Sequence, residues 1–299
     1  MAFSRFKLSL LIAAAIPAAA FAQVTPPGPP GPVMVQPPTP DADALAADMR
    51  VLAQDPQDLN ALIGAGELTL KLGDPTASAA LLTRAEKVDP NNARLKAAMG
   101  RLLVQSEQPG AALQRFAEAE AGGQPVGTFA ADRALAYDLI GQQDRAQRDY
   151  RLALKAGPDD DVTRDYALSL AISGQGARAL AVIDPLVRKS ERAAWRARAF
   201  ILAMNGDSAG AEKIAADMMP GNLGTGLDGF FVRLRALGPI DRAFAVHFGE
   251  IRATPQRLAD ARLAPAFGPL PPDPDALALA ETTRATAEPE REAKKRKKD

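Results

Sequence analysis

The sequence predicts an all-α fold, an α-solenoid of about five helix-turn-helix repeats with capping helices. The chain of 299 residues is 47% hydrophobic but only 5% aromatic, a composition that favours Ala- and Leu-rich helices over strands. From Asp41 onward, Ala and Leu recur at helical spacing and are interrupted at regular intervals by Gly, Asp and Pro. This regular interruption indicates repeats that stack and bury their apolar faces against one another.

The first residues have the pattern of a secretory signal peptide. Arg5 and Lys7 precede an apolar run, and Ala-Phe-Ala at 20–22 provides the small residues of a cleavage site. We therefore expect residues 1–22 to be removed and the mature protein to be periplasmic or secreted. An uncleaved anchor is the alternative, but the apolar run is shorter than the roughly 20 residues that span a bilayer. No later segment of the sequence reaches that length.

The segments that flank the predicted repeats are rich in proline or charge. Residues 23–40 contain eight prolines, which disfavour helix and favour an extended linker. We expect the solenoid and its caps to occupy 41–250, followed by a disordered tail over 251–299. The basic end of this tail, 294–298, is either a solvated terminus or a contact to anionic envelope polymers.

The interruptions give the length of the repeat. Gly73, Glu107 and Gly141 stand 34 residues apart, and Gly174 and Gly206 follow at spacings of 33 and 32. A small residue lies seven positions before each interruption, and another lies five positions after each. A large apolar residue follows at the ninth position in four of the five units. Two helices approach closely only where side chains are small, and the gaps beside such contacts need large fillers.

This spacing resembles the tetratricopeptide repeat (TPR) family, in which a W-x2-L-G-x2-Y helix pairs with an A-x3-F-x2-A-x4-P helix. Trp195, Ala199 and Leu202 occupy first-helix places in one unit, and the stretch AQRDYRLALKAGP at 146–158 supplies the second-helix places in another. The resemblance covers about 59–219 as five units and implies a right-handed α-solenoid.

The array also needs caps, because an end repeat exposes the face that its missing neighbour would cover. Residues 41–53 indicate a lone second helix at the front. At the back, two further helical stretches supply Phe230, Phe231, Phe244 and Phe248, which we expect to pack onto the fifth unit.

No group of residues predicts catalysis, a metal or a cofactor. Gly224, Gly226 and Gly229 match the spacing of a dinucleotide-binding loop, but that loop must follow a strand, and here a helical stretch and Met-Met-Pro precede it. A zinc site needs several ligands, and a catalytic histidine needs a nucleophile or an orienting carboxylate. His247 is the single histidine and the chain has no cysteine, which favours a packed or half-exposed helix residue. We therefore expect a protein that is not an enzyme.

The remaining chemistry is recognition of a protein or peptide. In the resembled family, partners bind the second, fifth, ninth and twelfth positions of the first helices, on the concave face. Carried onto this sequence, that register places four arginines, an aspartate and a phenylalanine on the binding face: Arg94, Arg101, Asp138, Arg164, Arg196 and Phe200. The hypothesis is that the arginines hold carboxylates of an extended or helical peptide. The alternative is that they are surface arginines paired with neighbouring acids.

These features together predict an exported scaffold in cell-envelope or division complexes. The order of segments is similar to that of periplasmic TPR proteins that continue into a SPOR domain, although this sequence contains no such domain. An accessory subunit of a polysaccharide-export or pilus-assembly machine is the alternative. The balance of 36 basic and 36 acidic residues gives no overall field that would attract nucleic acid.

Overall fold

The computed structural model describes residues 39–218, 227–270 and 272, which belong to one compact unit. The predicted signal peptide, nearly all of the proline-rich linker and the basic end of the tail lie outside the described residues. None of the described helices is both long enough and apolar enough to cross a membrane.

The described residues form fourteen α-helices and one 3-10 turn, and they contain no strand. Residues 59–218 make five consecutive antiparallel helix pairs, so the predicted all-α solenoid of five helix-turn-helix repeats is confirmed. The helices are α1 (Pro40–Gln54), α2 (Leu59–Lys71), α3 (Pro75–Val88), α4 (Ala93–Gln105), α5 (Pro109–Ala121), α6 (Ala130–Leu139), α7 (Gln143–Ala156), α8 (Asp160–Ile172), α9 (Gly176–Arg188), α10 (Arg192–Met204), α11 (Ser208–Met218), α12 (Asp228–Ala236), α13 (Pro239–Phe248) and α14 (Pro255–Ala261). The 3-10 turn, Val126–Thr128, precedes α6.

Within each repeat, the small residues allow the two helices to approach closely. A methyl group added to Gly66 would lie 2.6 Å from Leu82 Cδ2, and one added to Gly100 would lie 2.5 Å from Phe116 Cε1. Both large residues are almost completely buried. The Phe116 ring also stacks on Phe129 of the next repeat at 5.2 Å, so the filler of one repeat joins it to its neighbour.

The turn inside each repeat needs a residue with positive φ. Gly73, Gly141, Gly174 and Gly206 adopt φ between 82° and 92°, where glycine has no steric penalty. Glu107 occupies the same place in the second repeat with φ 59°, which is unfavourable for a residue that carries a Cβ.

The caps follow the prediction at the front and only in part at the back. Helix α1 packs on α2, and α12 packs on α10 and α11, where Phe230 and Phe231 contact Phe200. The expectation that α13 also caps the fifth repeat is wrong. Helix α13 turns back and packs on α6 and α8, the first helices of the third and fourth repeats.

The expectation of disorder from residue 251 is also wrong for the part that the structure describes. Residues 239–268, here called the C-terminal strap, run back along the solenoid to α5 and α7. Thr254 caps α14 by accepting from the Arg257 N–H, and Pro255 begins that helix. Beyond α14, the Phe267 ring lies edge-on to Tyr137 at 5.4 Å. The proline and charge of this segment therefore start a helix and make tertiary contacts.

Candidate functional site

The first helices of the repeats, α2, α4, α6, α8 and α10, contact one another in order and form a continuous surface, here called the first-helix face. Five of the six residues predicted to bind a partner line cavities on this face. The cavities fall into two regions, one charged and one largely apolar.

The charged region is a cavity of about 470 Å³ between α1, α2, α4 and α6. Arg94 lies 2.7 Å from a carboxylate oxygen of Glu67, and Arg101 lies 3.1 Å from the other. Arg101 also binds Asp132 at 2.7 Å and donates to the carbonyl of Thr128. Burial raises the pKa of Asp132, and the Arg101 guanidinium opposes that rise. Both predicted arginines of this region therefore already hold carboxylates of the chain itself.

Asp138 does not lie on the surface, which corrects its predicted place on an accessible face. Its side chain is fully buried and accepts a 2.8 Å hydrogen bond from Ser169 Oγ of α8. Burial raises the pKa of Asp138 well above its usual range. The predicted binding positions assume an open face, whereas α13 and α8 both pack against α6 here.

The apolar region, here called the apolar groove, is a cavity of about 830 Å³ between α10, α11, α12 and α13. Its centre is an aromatic cluster in which Phe200 lies 5.9 Å from Phe230 and 6.4 Å from Phe231, measured between ring centroids. Phe231 is buried, while Phe200 and Phe230 are partly exposed toward the groove. Such a surface is suited to receiving an apolar side chain.

Two arginines border this groove. Arg192 and Arg196 both line it, are exposed, and stand four residues apart on the same side of α10. Among the described residues, neither has a hydrogen bond or an ion pair. Arg164, by contrast, binds the carboxylates of both Asp161 and Glu191. Of the four predicted arginines, Arg196 alone has no acidic partner within the described ranges. Arg192 was not predicted, because it is not at one of the partner-binding positions of the TPR first helix.

A smaller cavity of about 270 Å³ adjoins the groove between α8, α10 and α13. There, His247 Nδ1 lies 3.8 Å from Asp165 Oδ1. Burial lowers the pKa of His247 to about 4 and raises the pKa of Asp165 to about 7. The Asp165 side chain remains 35% exposed, so water weakens the energetic effect of its shift. At neutral pH, His247 adds no positive charge to this part of the surface.

Five successive helix pairs, with their turns 34, 34, 33 and 32 residues apart, decide the architecture. The fold is an α-solenoid of helix-turn-helix repeats. Searches with the sequence give no matching family model and no matching curated protein.

Several solved TPR structures have a similar fold. The TPR protein YrrB, described as having an unusual peptide-binding site, is 16% identical with a TM-score of 0.44, over 65% of this chain and 100% of that one. A TPR protein from Parabacteroides merdae is 18% identical with a TM-score of 0.45, over 66% and 78% of the two chains. PilF from Pseudomonas aeruginosa is 16% identical with a TM-score of 0.45, over 62% and 86%.

The described part of the solenoid contains no cluster of three acidic or histidine side chains that would hold a metal ion. Gly224 and Gly226 of the dinucleotide-like motif lie outside the described residues, and Gly229 lies in α12. The apolar groove is thus the candidate binding site, because its two arginines form no ion pair within the described ranges.

Proposed function

We propose that this TPR solenoid is an exported scaffold of the cell envelope that binds a protein or peptide partner in the apolar groove. The observation that supports this most strongly is a cavity of about 830 Å³ with an aromatic centre, bordered by two arginines that form no ion pair among the described residues. An apolar groove with a few polar groups at its edge is the usual form of a binding site.

The charged region is the weaker candidate, although two predicted residues lie there. Arg94 and Arg101 share Glu67, and Arg101 also holds Asp132. A ligand carboxylate would have to displace these internal partners, and an acid left unpaired in a partly buried site costs free energy. Intramolecular pairing of this kind favours a structural role in joining α2, α4 and α6.

Export is the part of the proposal that rests on the N-terminal sequence. Arg5 and Lys7, the apolar run that follows them and the small residues at 20–22 support cleavage after Ala22. The intact mass of the protein isolated from cells should correspond to a chain that begins at Gln23. A mass that retains residues 1–22, or recovery with the cytoplasmic fraction, would contradict export.

Site-specific photo-crosslinking in cells tests partner binding at the groove. A photoreactive residue at Ala193, which lines the groove on α10, should give discrete crosslinked species. The matched control is Ala177, an exposed alanine on the second helix α9. Equal crosslinking from both positions, or none from Ala193, would overturn the proposal.

A further inference from the structure

We propose that the apolar groove recognises an acidic peptide segment that carries one bulky apolar side chain, preferably aromatic. This inference rests on the proposed function and specifies the chemistry of its ligand. The apolar side chain would enter the aromatic cluster of Phe200, Phe230 and Phe231, and carboxylates beside it would bind Arg192 and Arg196.

The aromatic cluster defines the apolar half of the ligand. Phe230 and Phe231 lie 6.1 Å apart with their rings at 68°, and Phe200 is within 6.4 Å of both. Ile214 and Met218 of α11 extend this apolar surface along the groove. The three rings are tilted toward one another, the geometry that aromatic pairs prefer, and an aromatic ligand side chain would extend this cluster.

The two arginines define the charged half. Glu191 is the acid nearest to Arg192 in the sequence, but its carboxylate accepts from Arg164. Arg192 is also the first residue of α10, where the helix dipole disfavours a cation, so helix stability does not account for it. Guanidinium groups bind carboxylates through two parallel hydrogen bonds, which gives an acidic ligand both affinity and orientation.

Acidic side chains lie near Arg196, but none forms an ion pair with either arginine among the described residues. Arg196 also lines the adjoining cavity with Asp161 and Asp165. There, Asp161 holds Arg164, and Asp165 lies 3.8 Å from His247. His247 is neutral at pH 7 because burial lowers its pKa to about 4. Arg192 and Arg196 therefore remain the charges that determine which ligand the groove attracts.

Fluorescence anisotropy with the full chain tests this specificity. The probes are fluorescein-labelled peptides in which one Phe lies one to four residues before a pair of glutamates. We expect at least one probe to bind, and we expect its affinity to fall by about tenfold in Arg196→Glu and in Arg192→Glu. Lys213→Glu, which makes the same charge change at an exposed site outside the groove lining, should leave the affinity within about twofold.

Two peptide controls separate the two halves of the ligand. Replacing the Phe of the probe with Ala should weaken binding by about tenfold, and replacing both glutamates with lysines should abolish it. The inference is overturned if acidic and basic probes bind equally, or if charge reversal at both arginines leaves the affinity unchanged in variants whose circular dichroism matches that of the wild type. It is also overturned if no probe binds.

Crosslinking and probe binding together distinguish failure of the scaffold function from failure of the proposed ligand. Crosslinks from Ala193 without binding of any probe would reject the acidic aromatic ligand and leave the scaffold function standing. Absence of both would reject the groove as a binding site. Loss of probe binding in Arg94→Glu but not in Arg196→Glu would assign the acidic ligand to the charged region instead.

Discussion

Replacing Asp260 with alanine tests whether the C-terminal strap is an integral part of the folded solenoid. Asp260 is 7% exposed, and its carboxylate accepts from the backbone N–H groups of Gly110 at 2.6 Å and Ala111 at 3.1 Å. Gln108, the N-cap residue of α5, makes no side-chain capping bond. Asp260 therefore supplies the cap of α5 from a position 150 residues away in the sequence.

The size of the effect follows from the loss of this cap. Removing an N-cap acceptor costs about 1–2 kcal/mol, and removing a negative charge from a helix N-terminus costs about 0.3–1 kcal/mol more. We expect Asp260→Ala to lower the free energy of unfolding by about 2 kcal/mol. For a domain of this size, this corresponds to a fall in Tm of about 4–8 °C.

Thermal unfolding followed by circular dichroism measures the loss, and hydrogen–deuterium exchange locates it. Exchange should increase in the first turn of α5 and across α14. The control is Asp144→Ala, because Asp144 also lies in the first turn of a second helix but is exposed and makes no hydrogen bond or ion pair within the described ranges. A loss below about 0.5 kcal/mol for Asp260→Ala, or equal losses for both variants, would refute this account of the strap.

Three further substitutions test the repeat packing, the turns and the buried histidine. Glu107→Gly should raise the free energy of unfolding by about 1 kcal/mol in urea titrations, because glycine relieves the strain at positive φ. Gly100→Ala should lower it by about 1–3 kcal/mol, because the new methyl group meets the Phe116 ring. Lowering the pH from 7.5 to 5 should destabilise the wild type by about 2 kcal/mol more than it destabilises His247→Gln.

The pH effect has a definite sign. Burial lowers the pKa of His247 from 6.5 to about 4, so the unfolded chain binds a proton that the folded chain excludes. The wild type therefore loses stability as the pH falls from about 6.5 to about 4, and the glutamine variant lacks that loss. Asp165 acts in the opposite direction, since its raised pKa favours the folded state as the pH falls, but it is present in both proteins. An unchanged difference at the two pH values would contradict the burial of a neutral imidazole.

Controls separate local strain from general effects in the other two variants. Glu107→Ala removes the charge but retains the Cβ, so it should not reproduce the gain of the glycine variant. Gly229→Ala, where an added methyl group meets nothing within 4 Å, should not reproduce the loss of Gly100→Ala. Equal effects within either pair would show that the assigned contact is not the cause.

The repeats were predictable because their signals are local and recur. Gly73 and Gly141 mark turns that need positive φ, and the pairs Gly66 with Leu82 and Gly100 with Phe116 are the small and large residues of close helix contacts. Each signal lies within one repeat, and five copies in register reinforce one another. The sequence pattern therefore determined the architecture without knowledge of any contact between distant residues.

The candidate site was only partly predictable, because its chemistry depends on contacts between repeats. The family register placed Arg94, Arg101 and Arg164 on the first-helix face. Apart from Asp161, which lies on the same helix as Arg164, their acidic partners lie about 27 to 34 residues away. Asp138 became buried because α8 and the strap cover α6, and no local pattern reports that α13 turns back. The sequence analysis missed Arg192. The one signal that could have found it is its spacing of four residues from Arg196.

Hydrogen–deuterium exchange of the full chain, with and without a saturating acidic Phe-containing probe, tests most directly whether the apolar groove is the binding surface. The account predicts protection in α10, α12 and α13, with α2 and α4 of the charged region and the outer helices α3, α5 and α7 unchanged. Protection confined to α2 and α4, or protection of α10 that persists in the double variant Arg192→Glu and Arg196→Glu, would contradict it.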